Sequence, residues 1–215
     1  MKSTALTFLI VFIAFATKAA TLKTEITTNL FEGVKLVKSV VLQNDTKNDS
    51  VMSIVTYGLR KKAVFGLVPV NVYVLQFLAA KPEKLVKTED GFLASLKEAG
   101  PIQLHLTFLR NLPGEKITES FKDGLGANKI KTKDFSPELT QVLSEISSIS
   151  EFKEGEDFSI TFSWKSDQAV VYIAKTPSDI KTITGQKDFA DQLLSIWFGK
   201  TSDSKLKELK KTLIQ

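Results

Sequence analysis

The 215-residue sequence contains no cysteine and a single histidine, His105. The absence of cysteine excludes disulfide frameworks, thiolate zinc sites and cysteine nucleophiles. One histidine excludes a metal site built from several histidines and argues against a histidine-based catalytic triad. The sequence signatures of serine hydrolases, P-loop proteins, dinucleotide-binding folds and zinc proteases are also missing. We therefore expect neither a bound metal nor a cofactor.

The overall composition is that of an ordinary globular protein. Hydrophobic residues make up 43% of the chain and charged residues 25%, with 11 glycines and 6 prolines. These proportions exclude collagen-like, low-complexity and wholly disordered chains. The length is that of one domain with a sizeable buried core.

Residues 1–20 have the pattern of a secretory signal peptide. A lysine follows Met1, an apolar run extends from Leu6 to Phe15, and small residues end the segment. As a helix this run spans only about 15 Å, half of the hydrocarbon core of a bilayer. We therefore predict cleavage, a secreted or periplasmic protein without a stable membrane anchor, and one domain over residues 21–215. The cleavage site is left open, because Ala14-Phe15-Ala16 and Thr17-Lys18-Ala19 both offer small residues at the two required positions. An uncleaved signal anchor is the alternative.

The net charge does not favour a nucleic-acid partner. Cleavage after Ala20 would remove Lys2 and Lys18 and lower the formal net charge from +5 to +3. Nucleic-acid-binding domains normally carry a clustered basic face, which this sequence lacks.

Hydrophobic periodicity predicts strands early in the chain, helices in its middle, then a hairpin and two further helices, which is an α+β pattern. The segment Val68–Leu78 is apolar on both alternating sets and is predicted to be a central strand. Ser136-Pro137-Glu138 is a strong helix start. The other predicted strands are Val34–Leu42, Val51–Tyr57, Ile102–Leu109, Phe158–Trp164 and Ala169–Ala174, and the helices include Gly114–Asn128, Asp188–Phe198 and Ser204–Ile214.

His105 falls on the outward-facing set of its predicted strand, together with Gln103 and Thr107. An apolar set faces the other way, so we expect His105 to be an exposed or half-exposed structural residue. A catalytic role is the less favoured alternative.

A hairpin predicted around residues 66–67 brings two polar side chains together. The Gly-Leu pair at these positions suits a two-residue type II′ turn, which would place Phe65 opposite Val68. In the same register Arg60 lies opposite Tyr73 on one face, with Cβ atoms about 5 Å apart. A guanidinium beside a phenol presents converging donors for a carboxylate or an oxyanion. Alternatively, the arginine extends from a sheet edge into solvent and the tyrosine packs in the core.

A second candidate group lies on one face of the predicted helix Gly114–Asn128. Phe121, Leu125 and Asn128 recur at spacings of one and two helical turns. Asn128 either lines a cavity next to this apolar stripe or caps the helix C-terminus.

Several ordered segments resemble the chalcone isomerase-like family. They are Gly58-Leu59-Arg60, Val70-Asn71-Val72-Tyr73-Val74-Leu75, the alternating strand Leu104–Arg110, Gly124-Leu125 with Asn128, and Ile196-Trp197-Phe198-Gly199 before a Leu/Lys-rich helix. This resemblance implies an open-faced β-sandwich, in which a large antiparallel sheet carries helices layered on one face and a ligand cleft lies between them.

The resemblance also separates two branches of the family. In the plant enzymes an Arg, a Thr, a Tyr, a Lys and an Asn stabilise an enolate. Here Arg60 and Asn128 match, Tyr73 stands at the Thr position, Phe121 stands at the Tyr position, and the Lys has no match. The fatty-acid-binding branch pairs the Arg with a Tyr on a ligand carboxylate, as Arg60 and Tyr73 would.

We therefore expect an exported domain that binds a small amphipathic carboxylate, such as a fatty acid, without turnover. The candidate site residues are Arg60 and Tyr73 for the head group, Leu75, Phe121 and Leu125 along the tail, and Asn128, which matches the family's motif. The alternative is an isomerase or intramolecular lyase that stabilises an enolate of an unknown enone with Arg60 and Tyr73. A third possibility is an interaction module that docks a partner through its C-terminal helix. The oligomeric state is left open.

Overall fold

The computed structural model of the protein describes residues 20–43, 49–64 and 68–215. Residues 1–19 of the predicted signal peptide lie outside these ranges. Within them, eight strands form one antiparallel sheet in which every strand pairs with the next along the chain. The strands are β1 (Thr21–Phe31), β2 (Val34–Gln43), β3 (Ser50–Val64), β4 (Val68–Ala79), β5 (Ile102–Phe108), β6 (Asp157–Lys165), β7 (Gln168–Thr176) and β8 (Asp179–Gln186).

In the described ranges, one α-helix follows β4, two follow β5 and two follow β8. None of them is long and apolar enough to cross a membrane. The α-helices are α1 (Phe92–Ala99), α2 (Gly114–Ala127), α3 (Pro137–Ser147), α4 (Lys187–Phe198) and α5 (Ser204–Leu213), with short 3-10 helices at Pro82–Lys84 and Thr132–Asp134.

One face of the sheet carries the main hydrophobic core. Tyr73, Leu75 and Phe77 of β4 point to this face and are at most 5% exposed. They belong to a cluster that includes buried residues from all five α-helices. The predicted α+β fold, an antiparallel sheet with helices layered on one face, is confirmed.

Strand β4 is central, as its sequence predicted. It pairs with β3 on one side and β5 on the other. Val74 and Leu78, on the face away from the helices, have no exposed surface. A strand that is covered on both faces can be apolar at every position, which explains its unbroken apolar sequence.

The second face of the sheet is covered because the sheet curls. Residues of β1 and β2 pack against residues of β7, which is far from them in strand order. His105 is consequently only 7% exposed, and its Nε2 lies 3.3 Å from Asp157 Oδ1. The prediction of an exposed or half-exposed His105 was wrong, because the pattern of β5 does not show that distant strands cover this face.

The edge strands β1 and β8 were not predicted. Leu22 is the only buried residue of β1, and Ile183 is the only buried residue of β8. A strand at the edge of a sheet can remain polar and exposed, so it lacks the alternation by which strands are recognised.

The predicted start of α3 is confirmed. Ser136 is the N-cap, and its hydroxyl accepts a hydrogen bond from the Leu139 amide at 3.1 Å. Pro137 occupies the first helical position, where the missing amide proton costs nothing.

Candidate ligand-binding site

The β3–β4 hairpin brings Arg60 and Tyr73 together as direct cross-strand partners. Close to the turn the register differs from the prediction, since Val64 pairs with Val68. The connection therefore contains three residues, 65–67, which lie outside the described ranges, and the predicted pairing of Phe65 with Val68 was wrong. A bulge next to Arg60 changes the register by one residue and restores the predicted pair.

The Arg60 guanidinium is buried and engaged by a carboxylate. Arg60 is 3% exposed, and its Nη1 and Nη2 donate to Asp203 Oδ1 and Oδ2 at 3.0 and 2.5 Å. Nη1 also donates to the backbone carbonyl of Lys61. This is the bidentate geometry in which arginine binds carboxylates most strongly.

Asp203 is positioned by helix α5. It is the N-cap, and Oδ1 accepts a hydrogen bond from the Leu206 amide at 2.8 Å. Burial alone would raise the pKa of Asp203, but the hydrogen bonds from Arg60 and Leu206 outweigh this effect and lower it. Asp203 was not predicted from the sequence. Its place at the start of a Leu/Lys-rich helix indicates a cap, but nothing local indicates Arg60 as its partner.

Helix α5 reaches Arg60 because it lies close to β3. At Gly58, a Cβ atom would stand 2.7 Å from Leu209 Cδ1 and 3.4 Å from Thr212 Cγ2. The missing side chain lets the helix approach the strand, so that the N-terminus of α5 lies next to the arginine two residues further along.

The Tyr73 hydroxyl lies in a dry environment beside Arg60. Tyr73 is 5% exposed, and its oxygen accepts a hydrogen bond from Trp197 Nε1 at 3.1 Å. Burial raises the pKa of Tyr73 even though the Arg60 charge acts in the opposite direction. The phenol therefore keeps its proton at neutral pH. No acceptor for that proton is found within the described part of the chain, so Tyr73 can donate it to a bound group.

A cavity of about 250 Å³ opens next to these two side chains. It lies between the β3–β4 hairpin and α2, with contributions from α4 and α5. Arg60 and Tyr73 form part of its polar lining. The apolar lining consists of Val70, Val72, Leu112, Ile117, Phe121, Ile196 and Leu206.

Charged side chains complete the cavity wall. Lys116 and Glu119 form an ion pair at 2.9 Å, and the hydrogen bond from Lys116 lowers the pKa of Glu119. Lys62 and Arg110 are exposed and have no ion-pair partner among the described residues. The cavity therefore has a neutralised cation at its buried end and unpaired cations at its mouth.

Phe121 is the one member of the second candidate group that lines the cavity. Its ring meets the Trp197 ring edge to face, with centroids 4.9 Å apart. Trp197 therefore contacts both Phe121, in the apolar lining of the cavity, and the Tyr73 hydroxyl, in its polar lining.

Asn128 caps α2 and does not line the cavity. Its Nδ2 donates to the carbonyls of Gly124, Ser195 and Lys200 at 2.8, 3.1 and 2.9 Å. Its Oδ1 accepts from the Lys200 amide at 2.7 Å. Of the two alternatives left open by the sequence, the structure shows the cap. The amide also ties the end of α2 to the end of α4.

Leu75 and Leu125 lie in the main core with no exposed surface and do not line the cavity. Arg60, Tyr73 and Phe121 therefore line the same cavity. Leu75, Leu125 and Asn128 do not contribute to its lining. The ligand-binding role of all six residues stays a prediction.

The described residues contain no group of three or more metal-ligating side chains that could hold a metal ion.

The chain belongs to the chalcone isomerase-like family, whose model matches residues 29–213. The resemblance predicted from the ordered segments is therefore confirmed.

Among solved structures, the fold is similar to that of a fatty-acid binding protein from Arabidopsis thaliana. The TM-score is 0.55, the sequence identity is 16%, and the match covers 88% of this chain and 96% of that one. At this identity the likeness shows the fold alone. A search of curated proteins finds no match.

Proposed function

We propose that this protein binds a small amphipathic carboxylate, such as a fatty acid, in the cavity beside the β3–β4 hairpin, without turning it over. The observation that carries this proposal is the convergence of Arg60 and Tyr73 at the buried end of an apolar-lined cavity. The solved structure with a similar fold is named a fatty-acid binding protein, which supports the same ligand class.

The cavity suits the two halves of such a ligand. An apolar tail contributes about 25 cal/mol for each Å² that it buries against the lining. The phenol proton supplies a donor for the head group, and the arginine fork supplies further donors once Asp203 has left it. The volume of about 250 Å³ is slightly below the ~300 Å³ at which pockets for drug-sized ligands begin, so a medium-length tail fits best.

Binding without turnover is supported by the residue at position 121. An enolate requires strong donors where its negative charge develops. Phe121, which the family resemblance places where the plant enzymes have a tyrosine, cannot donate a hydrogen bond.

Calorimetric titration with dodecanoate tests the proposal. We expect saturable binding by the wild type and a loss of at least about tenfold in affinity for Arg60→Ala, since a hydrogen-bonded charge is removed. Arg110→Ala is the matched control, because it removes the same charge from the exposed mouth of the cavity. It should weaken binding less than about fivefold.

Circular dichroism of both variants checks that they are folded. A wild-type protein that gives neither heat nor a thermal shift with dodecanoate would overturn the proposal. So would a purified protein whose organic extract contains no enriched acyl compound by mass spectrometry.

We also propose that the protein is exported and that residues 1–20 are removed. This rests on the charged start, short apolar run and small residues of that segment. The intact mass of the protein recovered from the medium or periplasm should correspond to a chain that starts between Thr17 and Thr21. A mass that includes residues 1–20 would contradict export with cleavage.

A further inference from the structure

The Arg60–Asp203 ion pair forms the partition between the ligand cavity and the protein surface. Arg60 lines the cavity, whereas Asp203 lines two neighbouring surface grooves that Arg60 does not line. The side chain of Arg60 is 4% exposed and that of Asp203 is 35% exposed. The arginine is therefore enclosed, while the carboxylate has solvent on its outer side.

The geometry of this pair is the geometry that a ligand carboxylate would need. Both oxygens of Asp203 accept from the two terminal nitrogens of Arg60. Two carboxylates cannot occupy the same fork of one guanidinium in this bidentate way. A ligand head group that binds this fork must take the place of Asp203.

From this we propose that Asp203 is an internal competitor, whose carboxylate exchanges with that of the ligand on Arg60 and thereby sets the ligand class and affinity of the cavity. The inference rests on the proposed function. It assigns a specificity-determining role to Asp203, which lies outside the cavity lining.

The exchange explains why the ligand must carry a negative charge. A buried arginine that loses its only carboxylate partner is left with an uncompensated charge, which is strongly unfavourable. A ligand carboxylate replaces the lost partner, whereas a neutral alcohol of the same length does not. Asp203 therefore excludes neutral amphipaths that the apolar wall alone would accept.

The grooves can receive the displaced carboxylate. Lys200 and Lys207 line one groove beside Asp203, and Lys62 and Lys122 line the other. Both grooves also contain acidic side chains, but lysines outnumber the acidic residues other than Asp203 in each. Opposite charges near the surface attract modestly, by less than the buried bidentate pair. The displaced Asp203 carboxylate can therefore be solvated next to these lysines. When the ligand leaves, the carboxylate returns to Arg60, because the buried bidentate pair is the stronger interaction.

The exchange also has a consequence for α5. Asp203 caps this helix by accepting from the Leu206 amide at 2.8 Å. When the carboxylate leaves Arg60, the cap is no longer held in place, and the first turn of α5 opens more often. Ligand binding should therefore be visible at the N-terminus of α5.

The decisive variant is Asp203→Asn. Asparagine caps helices as well as aspartate does, so α5 keeps its N-cap while the competing charge is lost. We expect dodecanoate to bind at least about tenfold more tightly than to the wild type. Asp134→Asn is the matched control, since it removes one acidic charge from an exposed position outside the cavity and both grooves, and it should change affinity less than about threefold.

Dodecanol provides the neutral arm of the experiment, and its affinity should rise less in Asp203→Asn than that of dodecanoate, because an alcohol does not compensate the Arg60 charge; an equal or larger rise for dodecanol would overturn the exchange. A wild type that does not bind dodecanoate would overturn the proposed function itself. A wild type that binds, together with an Asp203→Asn affinity that is unchanged, lower or raised no more than in Asp134→Asn, would overturn the exchange alone.

A measurement on the wild type covers the case in which Asp203→Asn does not fold. Saturating dodecanoate should accelerate hydrogen exchange at the Leu206 amide several-fold, while the buried strand β5 is unchanged. Unchanged or slower exchange at Leu206 would show that Asp203 stays in place and would overturn the proposal.

Discussion

A single hydroxyl, that of Tyr73, connects three parts of the candidate site. The hydroxyl oxygen accepts a hydrogen bond from the Trp197 indole. The Tyr73 ring packs beside Phe108, and Arg60 lies opposite Tyr73 on the neighbouring strand. Trp197 has no exposed surface, so its indole proton depends on this one acceptor. The phenol is therefore as much a structural acceptor as a candidate ligand donor.

Tyr73→Phe should lower the free energy of unfolding by about 1–3 kcal/mol, because the buried Trp197 donor is left without a partner. Urea unfolding measures this loss. The double variant Tyr73→Phe/Trp197→Phe should lose less than the sum of the two single variants, since removing both partners leaves no orphaned donor. Strictly additive losses would mean that the hydrogen bond contributes nothing.

Individual residue contacts differ in whether the sequence can predict them. Arg60 and Tyr73 were predicted as partners because they belong to one hairpin, in which pairing follows from local register. Asp203 was missed because it is 143 residues from Arg60 along the chain. Ion pairs over such distances leave no spacing that a sequence pattern could show.

At the scale of elements, boundaries with local chemistry are the ones that the sequence predicts well. The start of α3 combines a capping hydroxyl with proline at the first helical position, and both act within one turn. The β3–β4 turn was predicted one residue too short, because the bulge that compensates for it depends on packing rather than on turn residues.

Ser136→Ala should reduce the free energy of unfolding by about 1 kcal/mol, because the Leu139 amide loses its cap. Ser144→Ala is the matched control on the same helix. Ser144 is exposed, and alanine is the better helix former, so this change should be neutral or slightly stabilising. Equal losses in thermal or urea unfolding for both variants would argue against a specific role of the cap.

At the scale of the whole molecule, the pairing of β5 with β6 creates a polar cluster that neither strand predicts alone. Asp157 accepts from Thr107 at 2.6 Å and lies 3.3 Å from the His105 ring, on the face opposite the helices. Partial burial would raise the pKa of Asp157, but the hydrogen bonds from His105 and Thr107 lower it overall.

This shift makes stability depend on acid pH. Because folding lowers the pKa of Asp157, its carboxylate stabilises the fold above the unfolded pKa of about 4, and that contribution is lost as pH falls through the lower folded value. Asp157→Asn should therefore be less stable than the wild type at neutral pH, with a difference that shrinks in strong acid.

Urea unfolding over a series of pH values measures this difference. Asp167→Asn, at the exposed β6–β7 turn, removes the same charge without these contacts and should follow the wild-type curve. A gap between Asp157→Asn and the wild type that persists unchanged into strong acid would contradict the assignment.

The sequence by itself determined the elements whose signals are local: the central strand, the amphipathic helices, the α3 cap and the Arg60–Tyr73 pairing. Each depends on residues a few positions apart or joined by one short turn. Only the tertiary structure decided that distant strands cover His105, that Asp203 neutralises Arg60, and that Phe121 lines the cavity while Leu75 and Leu125 lie behind it. These features arise where separate elements meet in space, and hydrophobic burial, which brings the elements together, has no preferred partner along the chain.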